Sequence, residues 1–241
     1  MVNNRHRVAG EPPPAEGERV AMRIVVLNPN STRAVTEGID AALEPLRFGG
    51  GPEFECETLA EGPPGIETDA HVAAVAAPVA RFVASRERDA SAFIIACFSD
   101  PGLAEARRAT RRPVLGMAAC GIFTAMGLGS RFGVISILDE AIPRHRRYYD
   151  ALGVRFRLAG DRAVGIGVTG LADESRTLDR MVSIGRTLRD EDGAEVLVLG
   201  CAGMAQYRAR LEDALGIPVV DPVRAAAGMA LSVLVSGDAG E

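Results

Sequence analysis

Two cysteines of this 241-residue chain end runs that read alike, Phe93-Ile94-Ile95-Ala96-Cys97 in the first half and Val196-Leu197-Val198-Leu199-Gly200-Cys201 in the second. Inverting a centre next to a carbonyl requires a base on one face to take the proton and an acid on the other to return it. Two thiols facing one cleft form such a pair, and the reverse reaction exchanges their roles. Each cysteine is followed by a helix-start pattern: Asp100 as N-cap with Pro101 at the first helical position, and Ala202-Gly203 leading into Met204 to Leu215. Backbone N–H groups and the positive helix end are therefore expected to draw each thiol pKa from about 8.5 toward neutrality. The same N–H groups are expected to hold an enolate oxygen. A single free cysteine more often only fills a core; matched positions in two halves reverse that reading. Cys56, in an acidic, loop-like stretch, and Cys120, at the start of a helix, are read as structural.

The elements that must position the thiols are legible as alternation. Short β-branched runs at Arg23 to Leu27, Ala92 to Ala96, Val114 to Gly116, Gly133 to Leu138, Glu195 to Leu199 and Val219 to Val220 read as strands of parallel sheets. Between them, Ala70 to Ser85 and Leu178 to Arg189 carry apolar residues at three- and four-residue spacing, the pattern of crossover helices. The order repeats. Ile24-Val25-Val26-Leu27 and Val134-Ile135-Ser136-Ile137 each open a half, and a Pro-Val strand follows each cysteine, 16 residues on at Pro113 and 17 residues on at Pro218. One arrangement explains these matches: an α/β fold of two pseudosymmetric flavodoxin-like lobes, each a mainly parallel sheet flanked by helices, with the active site between them. The expected division is a tail at 1–21, a first lobe of 22–112 plus 218–241, and a second lobe of 113–217.

Composition excludes several classes. A net charge of -5, no Trp and few aromatics argue against nucleic acid as a partner, and the arginines within Arg107 to Arg112 and Arg144 to Arg147 read as solvated helix faces. No apolar run is long enough for a membrane span, and the N-terminus lacks the apolar core of a signal peptide. A cytoplasmic protein is expected. The four cysteines form neither a CxxC nor a Cys/His cluster, so free thiols are expected rather than disulfides or a metal site. His71 and His145 lie on amphipathic stretches and read as surface or partly buried side chains; Met117, Met126 and Met229 read as core fillers. Gly165-Ile166-Gly167-Val168-Thr169-Gly170 matches the dinucleotide pattern but lies outside the first strand-turn-helix unit, so it reads as a turn.

Four segments together carry a family resemblance: Asn28-Pro29-Asn30-Ser31-Thr32, Gly62-Pro63 with Ile66-Glu67, Ala96-Cys97-Phe98-Ser99-Asp100-Pro101-Gly102-Leu103, and Val198-Leu199-Gly200-Cys201-Ala202-Gly203-Met204. They resemble the hydantoin racemase family, which includes allantoin racemases and is related to aspartate and glutamate racemases, arylmalonate decarboxylases and maleate isomerases. The resemblance spans about Met22 to Leu234. It implies a cofactor-independent racemase of a cyclic ureide, acting on a small-molecule substrate as a homo-oligomer. It implies Cys97 and Cys201 as the acid/base pair, with Asn30, Ser31, Ser99, Asp100, Ala202 and Gly203 around the substrate. Asn28 and Asn30 could instead cap the first helix, and Asp100 the helix after Cys97. One departure is Met117-Ala118-Ala119-Cys120-Gly121, where hydantoin racemases often carry an acidic residue; this leaves the substrate open. The rival readings are an arylmalonate-type decarboxylase, against which the presence of both cysteines speaks, an aspartate/glutamate-type racemase, and a non-catalytic small-molecule binding module.

Overall fold

The computed structural model describes residues 22–237; the expected tail at Met1 to Ala21 lies outside the described residues. Among the described residues, eight strands alternate with eight α-helices. The first half runs β1 (Arg23–Asn28), α1 (Arg33–Leu43), β2 (Glu53–Thr58), α2 (Asp69–Ser85), β3 (Ala92–Ile95), α3 (Leu103–Ala109), β4 (Val114–Gly116) and α4 (Met117–Leu128). The second runs β5 (Phe132–Ser136), α5 (Ile142–Ala151), β6 (Leu158–Ala163), α6 (Glu174–Asp190), β7 (Val196–Leu199), α7 (Arg208–Leu215), β8 (Val219–Val220) and α8 (Pro222–Val235). The strands form two four-stranded parallel sheets, ordered β2-β1-β3-β4 and β6-β5-β7-β8.

The two ladders share a register. Leu27 lies beside Ile95 in the first sheet and Ile135 beside Leu199 in the second, and Ala96 N donates to Leu27 O just as Gly200 N donates to Ile135 O. Cys97 and Cys201 are therefore equivalent positions. The central strands are uniformly apolar because helices cover both faces: every residue of β3 and β7 is buried.

Two of the four edge strands, β2 and β6, lie outside the runs read from the sequence. β2, EFECET, sets Glu53, Glu55 and Glu57 on one face, where Arg23 pairs with Glu53 and Glu55 and Arg86 with Glu55 and Glu57. Cys56 thus sits on a strand, not in a loop. β6, LAGDRA, is likewise mostly half-exposed and carries Asp161 and Arg162. Half-exposed edge strands lack the apolar run that marks a central one.

Strand pairing also moves the expected lobe boundaries. Val114–Gly116, assigned to the second lobe, pairs with β3, and Val219–Val220, assigned to the first, pairs with β7. The crossing comes one element later: α8 packs on α1, β3 and α4, while α4 packs on β5, β7 and β8. A two- or three-residue strand completes the sheet of the half that precedes it, and the helix after it changes sides. No helix among the described residues is long and apolar enough to cross a membrane.

Candidate active site

In each sheet the neighbours of the opening strand lie on opposite sides of it, so the loops beyond β1 and β3, and beyond β5 and β7, diverge and leave a crevice. The two crevices face each other. They merge in a small cavity bordered by Asn30 from the first loop, Cys97 and Ser99 from the second, and Cys201 and Ala202 from the fourth. The loops after β2 and β6 close it from the side: Ile66 and Val168 both border the cavity, and Val168 N donates to Glu67 Oε1 at 2.9 Å. The glycine-rich 165–170 segment thereby joins the two halves at the cleft, ending in a 3-10 turn at Val168–Ala172.

Each thiol receives the backbone N–H of the residue two positions on, Ser99 for Cys97 and Gly203 for Cys201. The expected shift toward neutrality does not follow. Removal from bulk water dominates and pushes Cys97 up to about 12, helped by the proximity of Cys201 and the charge of Asp100. Cys201 rises to about 11, again chiefly through burial. The reason is local geometry. α3 starts only at Leu103, after a turn, and Cys201 leads into a 3-10 segment, Ala202–Tyr207, before α7 begins at Arg208. Neither sulfur stands at the end of a long helix, and one N–H each does not offset desolvation. A raised pKa makes the thiolate rarer and more basic, and both sulfurs are raised alike.

Of the other expected residues, Asn30, Ser99 and Ala202 border the cavity with the thiols. Asn30 does not cap α1, whose N-cap is Thr32 without a side-chain bond; it braces the turn that leads into it. Its Oδ1 accepts from Thr32 N at 2.9 Å and Asn28 Nδ2 at 3.1 Å, leaving its amide nitrogen without a protein partner among the described residues. Ser99 Oγ accepts from Arg144 Nε at 3.0 Å. Ser31 does not join them: its N–H donates to Pro63 O, and its side chain borders a separate surface depression beside Cys56. Successive residues of the turn point opposite ways. Gly203 borders an apolar groove next to the cavity and reaches the site through its N–H.

Asp100 is a correction. It is buried, and its carboxylate is consumed by Ala118 N at 2.9 Å, Ala119 N at 3.1 Å and Tyr148 OH at 2.5 Å. It therefore neither faces the cavity nor caps α3, whose N-cap is Gly102; it caps α4. Its φ of 42° is left-handed, a conformation these three bonds hold against its intrinsic cost. Burial lifts its pKa to about 6 despite those donors.

Two residues depart from expectation, Arg144 from a solvated helix face and His145 from a surface or partly buried position. Arg144 and His145, consecutive on α5, both border the cavity; the Arg144 side chain is only 11% exposed and His145 is buried. Helical periodicity gave the signal: Ala141, His145 and Tyr149 recur at four-residue spacing and are all buried, marking the inward face.

The segment matched by the Asp/Glu/Hydantoin racemase family model is 24–230, which contains every element from β1 to most of α8. A hydantoin racemase of Paenarthrobacter aurescens is 37% identical over 224 residues, covering 90% of this chain and 92% of that protein. Among solved structures, the allantoin racemase of Pseudomonas fluorescens superposes with a TM-score of 0.86 at 30% identity, covering 90% of this chain and 92% of the other. The allantoin racemase of Klebsiella pneumoniae gives 0.83 at 31%, covering 90% and 89%. Paired sheets of one topology, equivalent cysteines at the ends of β3 and β7, and a sequence match across both halves have one common source: the chain belongs to the Asp/Glu/hydantoin racemase family.

Proposed function

We propose that this protein is a cofactor-independent racemase of a cyclic ureide, a 5-substituted hydantoin or allantoin, with Cys97 and Cys201 as its acid/base pair. The observation that carries the reading is that two equivalent thiols, one from each sheet, border a single cavity. One sulfur, as thiolate, takes the proton from the carbon beside the ring carbonyl and becomes a thiol. The other, as thiol, delivers a proton to the opposite face and becomes the thiolate, so the protein ends with the same charge and the roles reversed. The negative charge delocalises onto the carbonyl oxygen, where the unpartnered amide nitrogen of Asn30 and the guanidinium of Arg144 supply donors. Ionising Cys201 makes Cys97 harder to ionise, which favours one thiolate at a time, as the two-base cycle requires. Both thiols being raised alike keeps the two directions balanced.

The reading includes a reducing compartment, the cytoplasm, in which free thiols persist, and a homo-oligomer, supported by the exposed Phe123 and Leu128 on α4. Circular dichroism on enantiopure hydantoins, allantoin, aspartate and glutamate tests the substrate class. The expected result is decay of the signal to zero with the cyclic ureides and none with the amino acids. Racemisation of aspartate or glutamate alone would overturn it, and absence of any proton exchange in deuterated water would favour a binding module.

A further inference from the structure

Behind Arg144 and His145 lies a polar cluster that the thiol chemistry does not use. Ser136 Oγ lies 2.5 Å from Asp161 Oδ1, Tyr149 OH donates to Asp161 Oδ2 at 2.9 Å, and His145 Nδ1 lies 3.1 Å from Asp161 Oδ2 and 3.2 Å from Ser136 Oγ. All four side chains are buried. The geometry sets which ring nitrogen carries the proton when the imidazole is neutral. An ionised carboxylate only accepts, and the Ser136 hydrogen is committed to it, so the proton between His145 Nδ1 and its two neighbours belongs to the ring. A neutral imidazole with Nδ1–H carries its lone pair on Nε2.

Nε2 has no hydrogen-bond partner among the described residues, yet it is not one of the sealed orphans, which are Thr177 Oγ1 and Asp221 Oδ2. It therefore opens onto accessible space, and the space this ring borders is the cavity of the two thiols. The edge of Phe98 or of the ring itself packs against the other at 5.3 Å between centroids, in a T-shaped contact, which limits ring rotation. Beside it, Arg144 is held by Ser99 Oγ at Nε and by Asp69 Oδ1 at 2.9 Å, leaving one amino group unpaired at the cavity.

We propose that Arg144 and His145 read the amide edge of the bound ring: His145 Nε2 accepts a ring N–H and the free amino group of Arg144 donates to the adjacent carbonyl oxygen. This rests on the cyclic-ureide reading above and goes beyond it by naming what selects the ring. A ureide offers N–H beside C=O, complementary to an acceptor beside a donor. An amino-acid carboxylate offers acceptors only and would set an oxygen lone pair against that of Nε2. The buried cluster is what keeps the acceptor aimed, because without Asp161 the imidazole could turn over or exchange tautomers.

The test uses the full chain, with exchange of the C5 proton in deuterated water followed by NMR. Three probes are compared: 5-methylhydantoin, its 3-methyl derivative, which lacks the N3–H, and 5-methyl-2,4-oxazolidinedione, which has a ring oxygen in place of N1–H. Wild type should prefer the parent over one of the two analogues by about tenfold in KM, the scale of one hydrogen bond to a desolvated acceptor. His145→Asn, which keeps a donor for Asp161 and removes the acceptor, should erase that preference; His145→Gln, which keeps an acceptor near the Nε2 position, should retain part of it. A merely structural histidine would raise KM for all three probes in parallel, and that result overturns the proposal.

A second measurement needs no variant. The protein has three histidines, and with them labelled by ¹⁵N the His145 Nε2 resonance should shift on adding 5,5-dimethylhydantoin, which cannot react. An unshifted resonance under saturating ligand, or no binding at all, overturns the proposal. If wild type exchanges none of the three probes, the ureide reading itself fails, a result distinct from active exchange without N–H preference.

Discussion

At the end of β4 stands Gly116, and at the equivalent place after β8, counting from Pro113 and Pro218, stands Asp221. Asp221 caps its own helix, accepting from Val223 N at 2.9 Å. Gly116 has no side chain, and the carboxylate over α4 comes from Asp100 instead, a residue of the loop after Cys97. A Cβ on Gly116 would fall 2.2 Å from the Asp100 carboxyl carbon: the two solutions to one capping problem exclude each other. The equivalent of Asp100 in the second half is Met204, fully buried.

The same divergence recurs at the ends of β1 and β5. Asn28, beside Leu27, closes a neutral cluster with Thr36 Oγ1 at 3.0 Å, itself 2.6 Å from Thr58 Oγ1. Its counterpart Ser136 joins the ionisable cluster of His145, Asp161 and Tyr149. A duplicated scaffold has thus kept the sulfurs equivalent while the polar groups behind them took different chemistry. In the proposed mechanism, equivalence of the thiols serves a reaction that must run both ways, and inequivalence around them serves a ring whose two edges differ.

The largest expected effect tests the equivalence. Cys97→Ser and Cys201→Ser should each lower racemisation by about a thousandfold, within the range for loss of a general acid or base, because a serine hydroxyl is far less acidic than either thiol. Each variant should still exchange the proton of one enantiomer, and the two should favour opposite enantiomers. Proton NMR in deuterated water with each pure enantiomer reads this directly. Retention of the same enantiomer by both variants would mean that the sulfurs do not flank the carbon.

The next effect tests the difference between the caps. Asp100→Ala should destabilise the protein by about 3 kcal/mol, since Ala118 N, Ala119 N and Tyr148 OH each lose a buried acceptor. Adding Gly116→Asp in that background should recover about 1 kcal/mol, the ordinary value of an N-cap, whereas Gly116→Asp alone should destabilise through collision with Asp100. Urea melts of the four proteins form the cycle; equal effects of Gly116→Asp in both backgrounds would dissolve the comparison. The cap also has a pH signature. The Asp100 carboxyl binds its proton more tightly in the folded protein, at about 6 against an ordinary 3.8. Folding stability should therefore fall as pH rises from about 4 to about 6, the buried charge offsetting part of what the three hydrogen bonds contribute, and Asp100→Asn should flatten that dependence.

The smallest effect per step is in the rate. With both thiols raised, to about 12 and about 11, kcat/KM should climb about tenfold per pH unit from pH 6 to pH 9, as the thiolate fraction does. Cys201, the lower of the two, should be alkylated by iodoacetamide ahead of Cys97. A flat profile across that range would show that substrate binding or another group sets the rate.

What the sequence determined by itself was periodic or repeated. β-branched runs specify the central strands, the Cys-to-Pro spacing specifies that the halves repeat, and together they place Cys97 and Cys201 at equivalent strand ends. The four motif segments carried the family. Tertiary structure alone decided the rest, because burial and partnership depend on residues distant in sequence. Asp100 looks like a local N-cap, yet its left-handed backbone turns the carboxylate onto a helix 18 residues away. Arg144 and His145 stand in a run of charged and polar residues that composition marks as solvated, and only the packing of α5 over the cleft turns one edge of it inward. The thiol environment is likewise a sum over neighbours from both sheets: desolvation by the facing half outweighs the single N–H that local sequence provides. That competition between a local donor and a distant wall is one that no spacing along the chain records.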